Sequence, residues 1–275
     1  MPKLAVLGQP ISHSRSPAMH TAALEEMGLA GEWSYEAIEV SPEEFDAQVG
    51  AMAREGFAGA NVTVPHKLAA LALADTASSA AAEIGAANTL SFAKGRIAAE
   101  NTDATGIVEA LPRSPAGARA LVLGAGGSAR AAVWGLRRAG ADVSIWNRTP
   151  ERGSAVAREL GARAISLPGE ASLPTEEFEL ILNATSVGLG ADPDRGLSDL
   201  KALRLDADGL SAKHIVVDLV YGAAETPFAA LARARGASVV DGLEVLVRQG
   251  AGSLRLWTGM EVPIETMRRA ALRRA

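Results

Sequence analysis

Two side chains far apart in the sequence could together move a proton. Lys67 closes the run Asn61-Val62-Thr63-Val64-Pro65-His66-Lys67, and Asp103 closes Glu100-Asn101-Thr102-Asp103. An ammonium and a carboxylate that converge can handle the proton that accompanies hydride transfer. Thr63 stands beside Lys67, and Ala87-Asn88-Thr89 adds an amide at another strand end. Upstream, Gly8-Gln9-Pro10-Ile11-Ser12-His13-Ser14-Arg15-Ser16-Pro17 sets the Ser14 and Ser16 hydroxyls at the mouth of a helix. That is a seat for a carboxylate; equally, Ser16 could simply cap the helix. His13 reads as a structural hydrogen-bonding residue. His20, His66 and His214 show no metal-ligand spacing, so no metal site is expected.

A second constellation concerns a nucleotide. Leu121-Val122-Leu123-Gly124-Ala125-Gly126-Gly127-Ser128-Ala129-Arg130 carries G-x-G-x-x-A between a strand and a helix. Gly124 permits the tight turn, Gly126 lets a pyrophosphate approach the backbone, and the small Ala129 allows close helix–strand packing. The helix N-terminus supplies N–H groups for the anion. The next strand ends in Asn147-Arg148-Thr149, with Arg152 following, where an NAD site would end in an acid. Guanidinium suits a 2′-phosphate and a carboxylate would repel it, so the sequence favours NADP. Asn183-Ala184-Thr185-Ser186-Val187-Gly188, at another strand end, is either a further cofactor contact or a helix-capping turn.

These groups need a scaffold, and the alternation of short β-branched runs with Ala/Leu-rich amphipathic stretches supplies one. Strands are expected over 3–8, 33–40 and 57–64, with a helix over 16–27 capped by Ser16 and a second opened by Ser41-Pro42-Glu43-Glu44. Residues 67–74 and 79–84 read as helices, and 88–92 with 97–100 as a hairpin around Lys94-Gly95. A second series has strands over 120–123, 142–146, 180–183 and 215–220 and helices over 128–139 and 151–160. The pattern is that of α/β units with mostly parallel sheets. The Pro/Ser segment 112–115 is a candidate domain boundary, which a helix over about 105–111 could bridge. Residues 190–196 read as a surface loop, and Arg268, Arg269, Arg273 and Arg274 as basic groups complementing a terminal helix dipole.

The 275 residues suit two domains at ~150 residues each. A hydrophobic fraction of 48% with 21% charged is that of an ordinary globular chain. With no cysteine, disulfide frameworks, thiolate zinc, Fe–S clusters and a Cys nucleophile are excluded. The longest run without Asp, Glu, Lys or Arg, Leu180–Ala191, is 12 residues, too short to span a bilayer as a helix. No signal-peptide pattern opens the chain. A net charge of -5 argues against nucleic-acid or anionic-membrane partners. A cytoplasmic protein acting on a small molecule is expected.

Taken together, the chain resembles the shikimate dehydrogenase family over essentially its whole length. The likeness runs through the motifs above and continues in Asp218-Leu219-Val220-Tyr221, Thr226-Pro227 and Asp241-Gly242-Leu243 through Gln249. The resemblance implies reversible NADPH-dependent reduction of 3-dehydroshikimate to shikimate, in the biosynthesis of chorismate and the aromatic amino acids. It implies a substrate domain over 1–103, completed by helices at about 243–275, and a Rossmann-type NADP domain over 104–242. Carried over by matching position, Ser14 and Ser16 would hold the substrate carboxylate together with Tyr221. Thr63, Lys67, Asn88, Asp103 and Gln249 would surround the ring hydroxyls, with Lys67 as acid/base and Asp103 as its partner. Gly124, Ala125, Gly126, Gly127, Ser128, Ala129, Asn147, Arg148, Thr149, Arg152, Thr185, Val187, Leu219 and Gly242 would line the cofactor. The expected assembly is a monomer or homodimer.

The chain departs from the family pattern at three places: Gly222-Ala223 where a proline is common, Glu244-Val245-Leu246 where a Met-Leu pair is common, and Ser79 in place of an acid. None touches Lys67 or Asp103. A quinate or quinate/shikimate dehydrogenase using NAD is the enzyme alternative, and Arg148 and Arg152 argue against it. A non-catalytic NADP or metabolite sensor is the alternative from another class; the intact Lys67, Asp103 and Gln249 set argues against that.

Overall fold

The computed structural model describes residues 2–189, 196–222 and 224–273. Most of the loop expected over 190–196, together with Ala223 and Arg274, lies outside the described residues. The chain forms two compact units. One takes the residues up to Gly106 and those from Leu246 on; the other takes Ile107–Val245.

The first unit runs β1 (Lys3–Gly8), α1 (Ser16–Glu26), β2 (Ser34–Glu39), α2 (Phe45–Met52), β3 (Phe57–Val62), α3 (Lys67–Leu73), β4 (Thr76–Ala77), α4 (Ser79–Ile84), β5 (Thr89–Ala93) and β6 (Arg96–Glu100). Its sheet has the order β2-β1-β3-β5-β6-β4. β1 pairs in parallel with β2 and β3, and β4 with β6, while β3–β5 and β5–β6 are antiparallel. Leu4 through Leu7 are all buried, as a central strand covered on both faces requires. The β5–β6 hairpin turns on Lys94 and Gly95, both at positive φ (51° and 74°), the pairing that a two-residue type I′ turn needs.

Two expected helix caps are corrected. Ser16 is not an N-cap but the first residue of α1; the cap position is Arg15, which already has helical dihedrals and makes no side-chain cap bond. The Ser14 hydroxyl instead accepts from the Ser16 N–H at 3.3 Å. Nor does Ser41 cap a helix. Its hydroxyl donates to Glu44 Oε2 at 2.9 Å, and α2 begins only at Phe45, whose fully buried ring fixes the start.

The helix α5 (Asp103–Ala110) contains the Gly106/Ile107 passage from the first unit to the second. The second unit contains β7 (Arg119–Leu123), α6 (Gly127–Arg138), β8 (Asp142–Trp146), α7 (Pro150–Leu160), β9 (Arg163–Ala164), β10 (Leu180–Asn183), α8 (Gly196–Leu203), β11 (Ile215–Asp218), α9 (Pro227–Ala234) and β12 (Ser238–Asp241). All its strand pairs are parallel, in the order β12-β11-β10-β7-β8-β9. Numbered from β7, that is the doubly wound dinucleotide-binding order, whose direction reverses between β7 and β10. Its central strands are runs such as Leu121-Val122-Leu123 and Leu180-Ile181-Leu182, buried throughout.

The helix α10 (Gly242–Thr258) carries the chain back to the first unit, between Val245 and Leu246, and α11 (Ile264–Leu272) follows. In the first unit α10 passes close to two neighbours. A Cβ at Gly106 would lie 2.8 Å from the Gln249 backbone N, and one at Gly250 would lie 2.4 Å from the Met19 methyl. Glycine at both places allows that approach.

Candidate active site

The first unit gathers its polar residues at strand ends. Thr63 follows β3, with its backbone N–H donating to Leu7 at 2.9 Å, and its carbonyl accepts from His66 at 2.9 Å. Its side chain lies over Gly8: a Cβ there would sit 2.4 Å from the Thr63 methyl. His66, buried at the foot of α3, donates to the Val40 carbonyl at 2.8 Å and stacks on Phe45 with ring centroids 4.4 Å apart. This anchor sets the first residue of α3, Lys67. Asp103 is the first residue of α5, where the Asn101 side chain accepts from the Ala104 N–H at 3.2 Å.

The two residues meet. Lys67 Nζ donates to Asp103 Oδ2 at 2.5 Å, with side chains only 11% and 10% exposed. Asn88 Nδ2 reaches Asp103 Oδ1, Gln249 Oε1 and Thr102 Oγ1, each at 2.9 Å. Its Oδ1 accepts from the Thr102 N–H at 2.7 Å and the Thr89 hydroxyl at 3.1 Å. These two donors fix which way the amide points, so its NH₂ must face Asp103 and Gln249. The Gln249 amide is itself held, donating to the Leu246 carbonyl at 3.0 Å. Behind Asn88, Asn61 donates to the Asn88 carbonyl at 3.4 Å and accepts from the Tyr35 hydroxyl at 2.8 Å.

Sequence reasoning gave Asn61, Thr89 and Thr102 no individual role, although all three sit inside quoted motifs. Their signal was polar identity at buried strand ends, where an unpaired group is costly. The structure thus brings together Lys67, Asp103, Asn88 and Gln249. It leaves Thr63 part-buried in the Thr63–His66 turn, and Ser14 and Ser16 at the start of α1 with Ser16 2% exposed. Tyr221, half-buried, belongs to the second unit.

The buried face of α1 carries a group unused by these bonds. His20 is fully buried, donates from Nδ1 to the Ser16 carbonyl at 2.8 Å and stacks on Tyr35 with centroids 4.0 Å apart. Burial lowers its pKa from 6.5 to about 4, against the opposing pull of backbone hydrogen bonds.

In the second unit the glycine turn lies at the sheet's reversal point. Gly124 has φ +110°, donates to the Trp146 carbonyl at 2.8 Å, and a Cβ there would fall 2.9 Å from the Ala184 carbonyl oxygen. Gly126 caps α6 without any side-chain bond, and a Cβ there would meet nothing within 4 Å. Backbone N–H groups at a helix start, with open space before them, fit a pyrophosphate. Gly127 is the first residue of α6, Ser128 and Ala125 are half-buried, and Ala129 is fully buried against the sheet.

The guanidinium groups of Arg148 and Arg152 are exposed and have no hydrogen-bond or ion-pair partner among the described residues, while Thr149 precedes α7 as its N-cap. Asn147 donates to the Thr149 carbonyl at 2.8 Å, shaping the turn that carries Arg148. Such unpaired guanidinium groups beyond β8 fit the extra phosphate of NADP. Thr185 and Val187 lie just past β10. Leu219 lies just past β11, and Gly242, at the start of α10, packs so closely that a Cβ would fall 2.6 Å from the Leu219 carbonyl. No helix among the described residues is long and apolar enough to cross a membrane.

Comparison with known proteins bears on both units. Residues 6–90 match the model of the shikimate dehydrogenase substrate binding domain, residues 107–188 that of shikimate / quinate 5-dehydrogenase, and residues 242–272 that of the shikimate 5'-dehydrogenase C-terminal domain. The NADP(+) shikimate dehydrogenase of one Thermus thermophilus strain is 44% identical over 99% of this chain and 98% of its own. That of Acidiphilium cryptum is 42% identical over 93% and 90%. The crystal structure of a Thermus thermophilus shikimate 5-dehydrogenase in complex with NADP(H) and shikimate has a TM-score of 0.86 at 43% identity, covering 98% of each chain.

Proposed function

The chain belongs to the shikimate dehydrogenase family, and on that premise we propose that it interconverts shikimate and 3-dehydroshikimate with NADP. The observation that carries this reading is the buried Lys67–Asp103 pair at 2.5 Å, bordered by Asn88 and Gln249. When bound, NADPH would supply the hydride, and the glycine turn after β7 with Arg148 and Arg152 would hold it.

The protein's own side chains handle the rest. Reduction builds negative charge on the ketone oxygen, which the Lys67 ammonium stabilises and then protonates. Asp103, fixed from both sides by Lys67 and Asn88, keeps that ammonium aimed and accepts from a ring hydroxyl. The carbonyl oxygen of Gln249 accepts from another, and Thr63 borders the same region. Ser14 and Ser16 at the start of α1 take the ring carboxylate. In the reverse direction Lys67 receives the hydroxyl proton as hydride leaves the carbon. The enzyme works in the cytoplasm, as a monomer or homodimer, on the route to chorismate.

Turnover of shikimate and of quinate, each with NADP⁺ and with NAD⁺, tests the reading. Shikimate with NADP⁺ is the expected best pair. A clear preference for NAD⁺ or for quinate would contradict it.

A further inference from the structure

Asp218 ends β11 and is 1% exposed. Its carboxylate accepts from the Asn183 amide at 2.9 Å, from the Val220 N–H at 3.2 Å and from the Thr226 hydroxyl. That hydroxyl also accepts from the Ala229 N–H at 3.1 Å, at the start of α9, which turns its proton toward Asp218. A carboxylate offers only acceptors, so it dictates the orientation of the Asn183 amide. With Nδ2 turned to Asp218, Asn183 Oδ1 faces the Thr185 N–H at 3.0 Å and the Thr185 hydroxyl at 2.7 Å. The Thr185 oxygen in turn accepts from the Val187 N–H at 3.0 Å. Ala184, next in line, is the residue whose carbonyl lies against Gly124.

A chain of hydrogen bonds, buried at Asp218 and Asn183 and part-buried beyond them, therefore runs from α9 to Thr185 and Val187, beside the glycine turn. Burial raises the Asp218 pKa against the lowering effect of Thr226, Val220 and Asn183. An apolar residue would avoid that desolvation cost, so the acid needs an explanation beyond filling space.

We propose that Asp218 is a positioning residue for the cofactor: acting through Asn183, it holds Thr185 and Val187 in the shape that receives the dinucleotide. The inference rests on the reading that this unit binds NADP. Asp218 itself is assigned no contact with cofactor or substrate.

Calorimetric titration of NADP⁺ into the full chain and its variants tests it, with circular dichroism to confirm folding. Asp218→Ala is expected to weaken NADP⁺ about tenfold, because the Asn183 amide loses the acceptor that orients it. Asp218→Asn should recover affinity to within about threefold, since an amide oxygen can still face Asn183. Asn183→Ala should match the Asp218→Ala loss, and the double variant should lose nothing more, as two members of one chain do. Unchanged affinity in Asp218→Ala, or losses that multiply in the double variant, would overturn the proposal. If Asp218→Ala does not fold, undiminished affinity in Asn183→Ala or a tenfold loss in Asp218→Asn overturns it equally. If the unaltered chain does not bind NADP⁺, the underlying reading fails instead.

Discussion

In the first unit Lys67, Asp103, Asn88 and Gln249 are each at most 9% exposed and bond to one another, whereas in the second the guanidinium groups of Arg148 and Arg152 stand exposed without partners among the described residues. The contrast fits the roles proposed for the two regions. A proton transfer needs donor and acceptor already aligned where water does not compete, so its groups are packed and cross-bonded in advance. A phosphate brings its own charge, so backbone N–H groups and a free guanidinium suffice to hold it. On the proposed reading, one region is finished before binding and the other is completed by it.

Breaking the first region should cost most. Lys67→Ala is expected to lower kcat by about a hundredfold or more while the shikimate KM moves little, as removal of an acid/base group does. Steady-state kinetics check this, and undiminished turnover would remove Lys67 from the chemistry. In the second region, Arg148→Ala should weaken NADP⁺ by roughly tenfold to a hundredfold and NAD⁺ far less, because only one of them carries the extra phosphate. Equal losses for both cofactors would show that Arg148 does not read that phosphate.

Acid sharpens the contrast with a smaller effect. His20 in the first unit has a native pKa of about 4 against 6.5 when free. Between those values the unfolded chain binds a proton that the folded chain refuses, so stability falls as pH drops, by about 2 kcal/mol at pH 5. Asp218 in the second unit is shifted upward from 3.8, so over the window just above that value the folded chain binds the extra proton. This group alone then favours folding as pH falls. Amide exchange at pH 7 and pH 5, each scaled to its intrinsic rate, should show protection lost in α1 and retained in β10 and β11. Equal loss in both would contradict these opposite signs.

What could be read in the sequence follows the same division. The glycine turn and the arginine after β8 are local: strand, turn, helix and next strand end lie within a few tens of residues, and each residue type carries its reason with it. The buried runs of β7, β10 and β11 are legible in the same way. The first unit's cluster is not, because Asn88 and Gln249 bond across a sequence separation of 161. No spacing rule reveals that contact; family likeness suggested Gln249, and the fold supplies the bond. The orientation of the Asn88 amide, set by the Thr102 backbone and the Thr89 hydroxyl, has no sequence signature at all. The helix caps failed for a related reason. Ser16 and Ser41 have the right type, but the chain is already helical at Arg15, and Glu44 takes the Ser41 hydroxyl. The passage between units lies inside α5, close to the helix read over about 105–111, whereas composition marks only the Pro/Ser segment 112–115 that follows it.

The division between finished and completed regions is tested most directly by the NADP⁺ affinity of the Lys67→Ala protein, measured calorimetrically beside its loss of turnover. The predicted result is an affinity within about twofold of the unaltered chain, because sites with no shared partners act additively. An affinity that falls together with turnover would contradict it.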